Sequence, residues 1–272
     1  MIFLLSLSKK NELQKLLLIT IVCTGFTILV STILGKEVVK SVTDVMYIIT
    51  TAAFVILSTI LVLRFKKTGD HGKAGLFLLG TSVSWFLGET TWTIYELAYN
   101  KNPFPSIADV FYIAGYPLML GFLMYYLKPV RKAITRKMML SAIMISVAMA
   151  IPSIYMAYSP EPDVTVFENV LATSYPILDS IIFIPAIIGI ALFFRGEVNF
   201  TWSLMCIGIL CFAIGDIGFQ YATFTDTYYT GHPADIVLIW SYILFSFGVY
   251  DHVRIFRKSG QSKENSQLDN WR

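Results

Sequence analysis

Gly88-Glu89-Thr90-Thr91-Trp92, then Pro105-Ser106-Ile107-Ala108-Asp109 and Tyr116, form the stretch from which the rest of the chain can be read. A weaker copy stands at Gly215-Asp216-Ile217-Gly218-Phe219, Pro233-Ala234-Asp235 and Tyr242. The acids are 20 residues apart in the first copy (89 to 109) and 19 in the second (216 to 235). The copies are offset by 127 at the first acid (89 to 216) and 126 at the second (109 to 235). Basic residues close both units, Lys128, Arg131 and Lys132 matching Arg254, Arg257 and Lys258. A repeat of this length speaks to architecture before any single-residue motif does.

Working outward, composition sets the class. The chain is 56% hydrophobic, 15% aromatic and 14% charged, whereas soluble domains carry about 25% charged residues. Its apolar stretches reach the roughly 20 residues that a helix needs to cross a bilayer. Eight are predicted, at 15–34, 44–63, 74–99, 106–127, 138–158, 169–194, 199–222 and 234–253. In lipid each segment must satisfy its own backbone, so these are helices and not strands. The predicted fold is an all-α integral membrane protein with eight transmembrane helices.

Four helices per copy is an even number, so both copies insert the same way round. That predicts two parallel four-helix repeats, 1–134 and 135–258, related by a pseudo-two-fold axis along the membrane normal. The polar segment 259–272 shows no apolar period and is predicted to be a disordered cytoplasmic tail. Of 21 Lys and Arg, all but Lys36, Lys40 and Lys101 fall in the N-terminal arm, the even-numbered connections and the tail. The positive-inside rule then places both termini in the cytoplasm of a cell-membrane protein. The net charge of +3 is topological and does not point to nucleic acid. Met1–Ser8 lacks a basic n-region and a cleavage site, so the first helix is expected to stay uncleaved.

The acids carry the functional reading. Glu89, Glu96, Asp179 and Asp216 fall inside spans, and Asp44, Asp109 and Asp235 stand at the outer ends of theirs. An ionisable side chain within a span costs a few kcal/mol at the bilayer centre and therefore faces the bundle interior. Trp85, Glu89, Trp92 and Glu96 recur at i, i+4, i+7 and i+11, one stripe of a helix. Asp109, Tyr112 and Tyr116 share a face, as do Tyr175 with Asp179 and Asp216 with Gln220. The expected site is an acidic, aromatic pocket reached from outside. Its ligand-binding set is Glu89, Trp92, Glu96, Asp109, Tyr116, Asp179, Asp216, Gln220, Asp235 and Tyr242.

Structural roles compete for the same residues. Ser106 and Asp109 fit a capping box, and Pro233 with Asp235 fits a helix start. Glu89 and Asp216 lie too far along their helices to cap; their structural role would be a bond to a Tyr or Trp of the other unit. Outer Tyr95, Tyr99, Tyr155, Tyr158, Tyr228 and Tyr229 read as an interfacial belt. Cys23, Cys206 and Cys211 read as buried apolar side chains without a disulfide or metal. With three histidines dispersed and no nucleophile or phosphate-loop motif, no enzyme and no histidine metal site is expected; a carboxylate-only site for a metal or a proton stays open, and the cofactor is unknown.

From Gly88-Glu89 and Trp92 to Pro105-Ser106-Ile107-Ala108-Asp109-Val110-Phe111-Tyr112-Ile113-Ala114-Gly115-Tyr116-Pro117-Leu118, the chain resembles a known type. It is similar to the multi-pass membrane sensor region that precedes diguanylate cyclase, cyclic-di-GMP phosphodiesterase and histidine kinase modules. The resemblance implies a membrane input domain. With no output module after Arg257, the expectation is a free-standing relative that signals through a partner protein as well as contacting the lipid bilayer. A small secondary transporter coupled through Glu89 and Asp216 is the alternative, and a structural assembly protein the third reading.

Overall fold

The computed structural model describes residues 2–64, 69–193 and 199–269, with side chains over 11–64, 69–192 and 201–254. These residues form eight α-helices: α1 (Ile2–Ile33), α2 (Lys36–Arg64), α3 (Gly69–Thr93), α4 (Ile107–Leu127), α5 (Arg136–Ala157), α6 (Val166–Phe193), α7 (Asn199–Phe224) and α8 (Pro233–Asp269). Among the described residues there is no strand. A π turn, Ile94–Ala98, prolongs α3, and a 3-10 turn, Lys128–Ala133, prolongs α4. The disordered tail predicted at 259–272 lies outside the described residues in all its side chains and, at 270–272, entirely.

Local chemistry explains the helix boundaries. Gly35, at φ 116°, turns the chain from α1 into α2, a left-handed conformation that glycine adopts without penalty. Ser106 accepts from the Ala108 amide, and the Asp109 carboxylate accepts from the Ser106 amide at 2.7 Å. The capping box read from the sequence is therefore present. Thr135 caps α5 by accepting from the Met138 amide.

Seven helices are long and apolar enough to cross a membrane: α1, α2, α4, α5, α6, α7 and α8. Eight helices are present where eight spans were expected, and seven of them have the length and apolar character of a span. α3 is excluded by its polar content: Thr81, Ser82, Ser84, Glu89 and Thr93 are all buried along it. That face packs against α2 and α4, so its polarity is met by protein and not by lipid.

Burial separates core from periphery. In the membrane windows of α1 and α5 only 17% of residues are buried, against 61% in α8. α1 turns Leu18, Val22, Phe26 and Ile33 outward, and α5 does the same with Leu140, Met144 and Ile151. No water-soluble fold leaves such rows uncovered. The chain is a multi-pass, all-helical membrane protein whose outward faces suit acyl chains. Its centre is built by α2, α3, α4, α6, α7 and α8, with α2 packed on α8 and α4 on α6.

Candidate functional site

Aromatic rings fill the middle of the bundle. Trp85 on α3 and Phe212 on α7 stack with centroids 4.7 Å apart and planes at 11°. Tyr116 on α4 and Tyr242 on α8 stand edge-on to both rings, at 6.0–6.1 Å. Trp85 fits because Gly115 has no side chain; a Cβ there would lie 2.1 Å from the indole nitrogen. The indole instead donates to the Tyr112 carbonyl at 3.2 Å, and Ser84 donates to the Phe111 carbonyl at 2.7 Å. Two side chains of α3 thus clamp the backbone of α4.

Around this stack the tyrosine hydroxyls turn to carboxyl groups. Tyr242 donates to Glu89 Oε1 at 2.8 Å, and Tyr112 to Glu89 Oε2 at 2.9 Å. Tyr116 points at two acids, Asp179 Oδ1 at 2.9 Å and Asp216 Oδ2 at 3.3 Å. A phenol has one proton to give, so these two acceptors share a single donor. Nearer the α3–α4 and α7–α8 connections, Tyr175 donates to Asp109 Oδ1 at 2.5 Å. Tyr47 donates to Asp235 Oδ1 at 3.0 Å, joined by Tyr228 and the Gly231 amide. Glu96 accepts from the Trp92 indole at 2.9 Å and from Thr230 at 2.5 Å.

Most of the expected site residues thus meet, but as a packed layer. Glu89, Asp109, Asp179, Asp216, Asp235, Tyr116 and Tyr242 lie in one aromatic–acid cluster, with Glu96 and Trp92 at its rim. Asp109 both caps α4 and receives Tyr175, so the two roles weighed for it coexist. Gln220 is buried with Oε1 unpartnered, and Asp44 is buried with Oδ2 unpartnered. Leaving a buried polar group without a hydrogen bond is costly.

The sequence reading did not name Tyr47, Thr230 or Asp251 in the site. Tyr47 and Tyr175 are 128 residues apart (47 to 175), close to the offset of the acids, which was the available signal. Thr230 sits in the α7–α8 connection, where no periodicity marks a partner. Asp251 is buried near the other end of α8, accepting from Thr201 at 2.8 Å and paired with Arg254 at 2.9 Å. A cavity beside it is lined by His71, Tyr126, Thr201 and His252. In the α7–α8 connection, burial holds His232 below its ordinary pKa, and its Nδ1 accepts from the Ala234 amide at 3.2 Å.

Among the described residues, no three His, Cys, Asp or Glu side chains converge as a metal-ligand set. Cys23, Cys206 and Cys211 are free thiols. The architecture defines a multi-pass, all-helical membrane protein with buried acids bonded to tyrosines. No protein family, curated protein or solved structure matches the chain.

Proposed function

We propose that the chain is a membrane sensor in which a layer of carboxyls and tyrosines between two four-helix units responds to a cation or to protons. Signalling would pass to a partner protein at the basic inner ends. One observation carries this reading: tyrosine–carboxyl bonds recur in exchanged pairs. Tyr242 reaches Glu89 while Tyr116 reaches Asp216, and Tyr47 reaches Asp235 while Tyr175 reaches Asp109. Donor and acceptor exchange units each time, at sequence offsets of 126 to 128 (116 to 242, 89 to 216, 47 to 175). The contacts of α2 with α8 and of α4 with α6 exchange in the same way. These pairs support the duplicated architecture, as does the stacking of Trp85 on Phe212, 127 residues apart (85 to 212).

The chemistry follows from charge. Among the described residues, the carboxyls of the layer are bonded to tyrosine, tryptophan and threonine side chains and not to Lys, Arg or His. Charges in such surroundings are tolerated only when neutralised, by protons or by a bound cation. Filling or emptying the layer would change which acids hold tyrosines, and so the seams between the units. A ligand moves that equilibrium only by its difference in affinity for the two arrangements. α4 and α8 run from this layer to Lys128 and Arg254, which gives the inner ends a mechanical connection to it.

The test is a spin-label distance between the inner ends of α4 and α8, in protein reconstituted in vesicles, while pH and alkali cation are varied. The parent is expected to change distance. Glu89→Gln with Asp216→Asn is expected to insert normally and stay fixed. A double variant that moves like the parent would overturn the reading. Cation flux across the vesicle wall in the same samples would replace sensing by transport.

A further inference from the structure

The acids in the middle of the bundle receive unequal shares of hydroxyl protons. Glu89 has a tyrosine donor on each oxygen, Tyr242 at 2.8 Å and Tyr112 at 2.9 Å. Asp179 and Asp216 have only Tyr116 between them, at 2.9 and 3.3 Å. A phenol donates one proton at a time, so one of these two acids is left without it. The two carboxyls also lie in hydrogen-bonding contact with each other, where α6 packs on α7. An ionised carboxylate is an acceptor only. Two of them make such a contact only when one carries a proton.

We infer that Asp179 and Asp216 form a binding site for one proton, held between the two carboxyls and gained or lost by them as a pair. Uptake moves a proton from water to a carboxylate oxygen and takes the pair from two negative charges to one. Tyr116 faces the pair from α4, Tyr175 from α6 and Tyr242 from α8. Asp109 stands behind Tyr175 and Glu89 behind Tyr242. Among the described residues, no Lys, Arg or His is bonded to either acid. Like charges in contact do not both ionise without such a counter-charge, and the proton supplies it. From α5, Ser146 and Ser153 line a narrow cavity with Asp179, each 1% exposed and without a hydrogen-bond partner. Two turns apart on their helix, they do not meet on one ion; they give the cavity a polar wall along which water reaches Asp179.

The site belongs to one half of the chain. At the offset that pairs Tyr47 with Tyr175, Asp179 answers to Thr51, whose hydroxyl donates to the Tyr47 carbonyl at 2.6 Å. The first unit therefore sets one carboxyl, Glu89, where the second sets two. With the proton in place the pair ties α6 to α7, and Tyr116 adds α4 of the other unit. With the proton gone, two like charges face one another and the single hydroxyl serves one of them, which favours opening of that seam. The inference rests on the sensor reading for its effect on the helices, though not for its protonation chemistry.

Infrared difference spectroscopy of purified full-length protein in lipid nanodiscs at neutral pH tests it, through the carbonyl stretch of a protonated carboxyl. Asp179→Asn with Asp216→Asn is expected to remove one such band, and each single variant to shift or remove that same band. Loss of no band or of two bands in the double variant, or a single variant that leaves the band as in the parent, would overturn the inference. Tyr116→Phe alters neither acid, so it tests the pair even where an acid variant fails to fold. There the band is expected to persist at a new frequency, and an unmoved band would place the proton elsewhere. Sodium added at constant pH should leave the band unchanged; its disappearance would put a cation where the proton is assigned and end the proposal. The spin-label distance read on the same sample separates the two ideas. A proton held by the pair without helix movement keeps the site and removes the sensing reading; helix movement with pH in a chain that lacks the band removes the site.

Discussion

Trp85 and Phe212 lie face to face at 4.7 Å, and Tyr116 and Tyr242 each touch both of them. The stack joins α3 to α7 and holds Tyr116 and Tyr242 at the angle from which each reaches an acid. Its removal should therefore act on stability and on the acid layer together.

Trp85→Ala is expected to destabilise the protein by about 3–5 kcal/mol, the usual range for deleting a fully buried large aromatic. Phe212→Ala should fall at the lower end, since Phe212 keeps 5% exposure against none for Trp85. Equilibrium denaturation in bicelles, followed by far-ultraviolet circular dichroism, measures both. A loss under about 1 kcal/mol for Trp85→Ala would place the indole outside the core.

Gly115→Ala adds a single methyl, yet its Cβ would lie 2.1 Å from the Trp85 indole. Overpacking of this kind costs about 1–3 kcal/mol. At Gly80 the nearest atom is a terminal Leu118 carbon at 3.2 Å, so Gly80→Ala should cost clearly less. The ordering of the two transition midpoints is the measurement.

Tyr47→Phe and Tyr175→Phe each remove one hydroxyl donor between units. Interhelical hydrogen bonds in lipid average about 0.6 kcal/mol and reach about 1.7, and bonds to a carboxyl belong at the upper end. Double-mutant cycles with Asp235→Asn and Asp109→Asn should return coupling of that size and of similar magnitude for the two pairs. Zero coupling in both would show that the acids are held by partners within their own unit, the Ser106 amide for Asp109 and the Gly231 amide with Tyr228 for Asp235.

At the basic end, Lys128 donates to Asp70 at 2.8 Å in an exposed ion pair. This bond holds the Asp70 carboxyl below its ordinary pKa. A depressed folded-state value means the contribution is present above the unfolded pKa and is lost as pH falls through the folded one. Carbon-13 NMR of the carboxyl should titrate below the usual aspartate midpoint of 3.8. Lys128→Met, or high salt, should move it up. The effect on stability should be small, as for surface pairs generally.

Reading the residues in order recovers the helices, the capping box at Ser106 and Asp109, and the inward stripe of Glu89, Trp92 and Glu96. It reads α3 as apolar like the other spans, whereas seven helices and not α3 have that character, and the serines and threonines of α3 are covered by protein. It places Asp109 correctly on α4 but leaves open whether the carboxyl caps or bridges, and the folded chain uses one oxygen for each purpose. Tyr47 is an ordinary aromatic until α2 is seen packed against α8.

Helix positions, the face each acid occupies and the membrane class follow from local spacing and hydropathy, which act within a few residues and so are written in the chain. Which tyrosine answers which acid was decided only by packing. Tyr116 and Asp216 are separated by 100 residues, Tyr242 and Glu89 by 153. A single turn of rotation or slippage in any of four helices would give each hydroxyl a different partner, and no local rule sets that register.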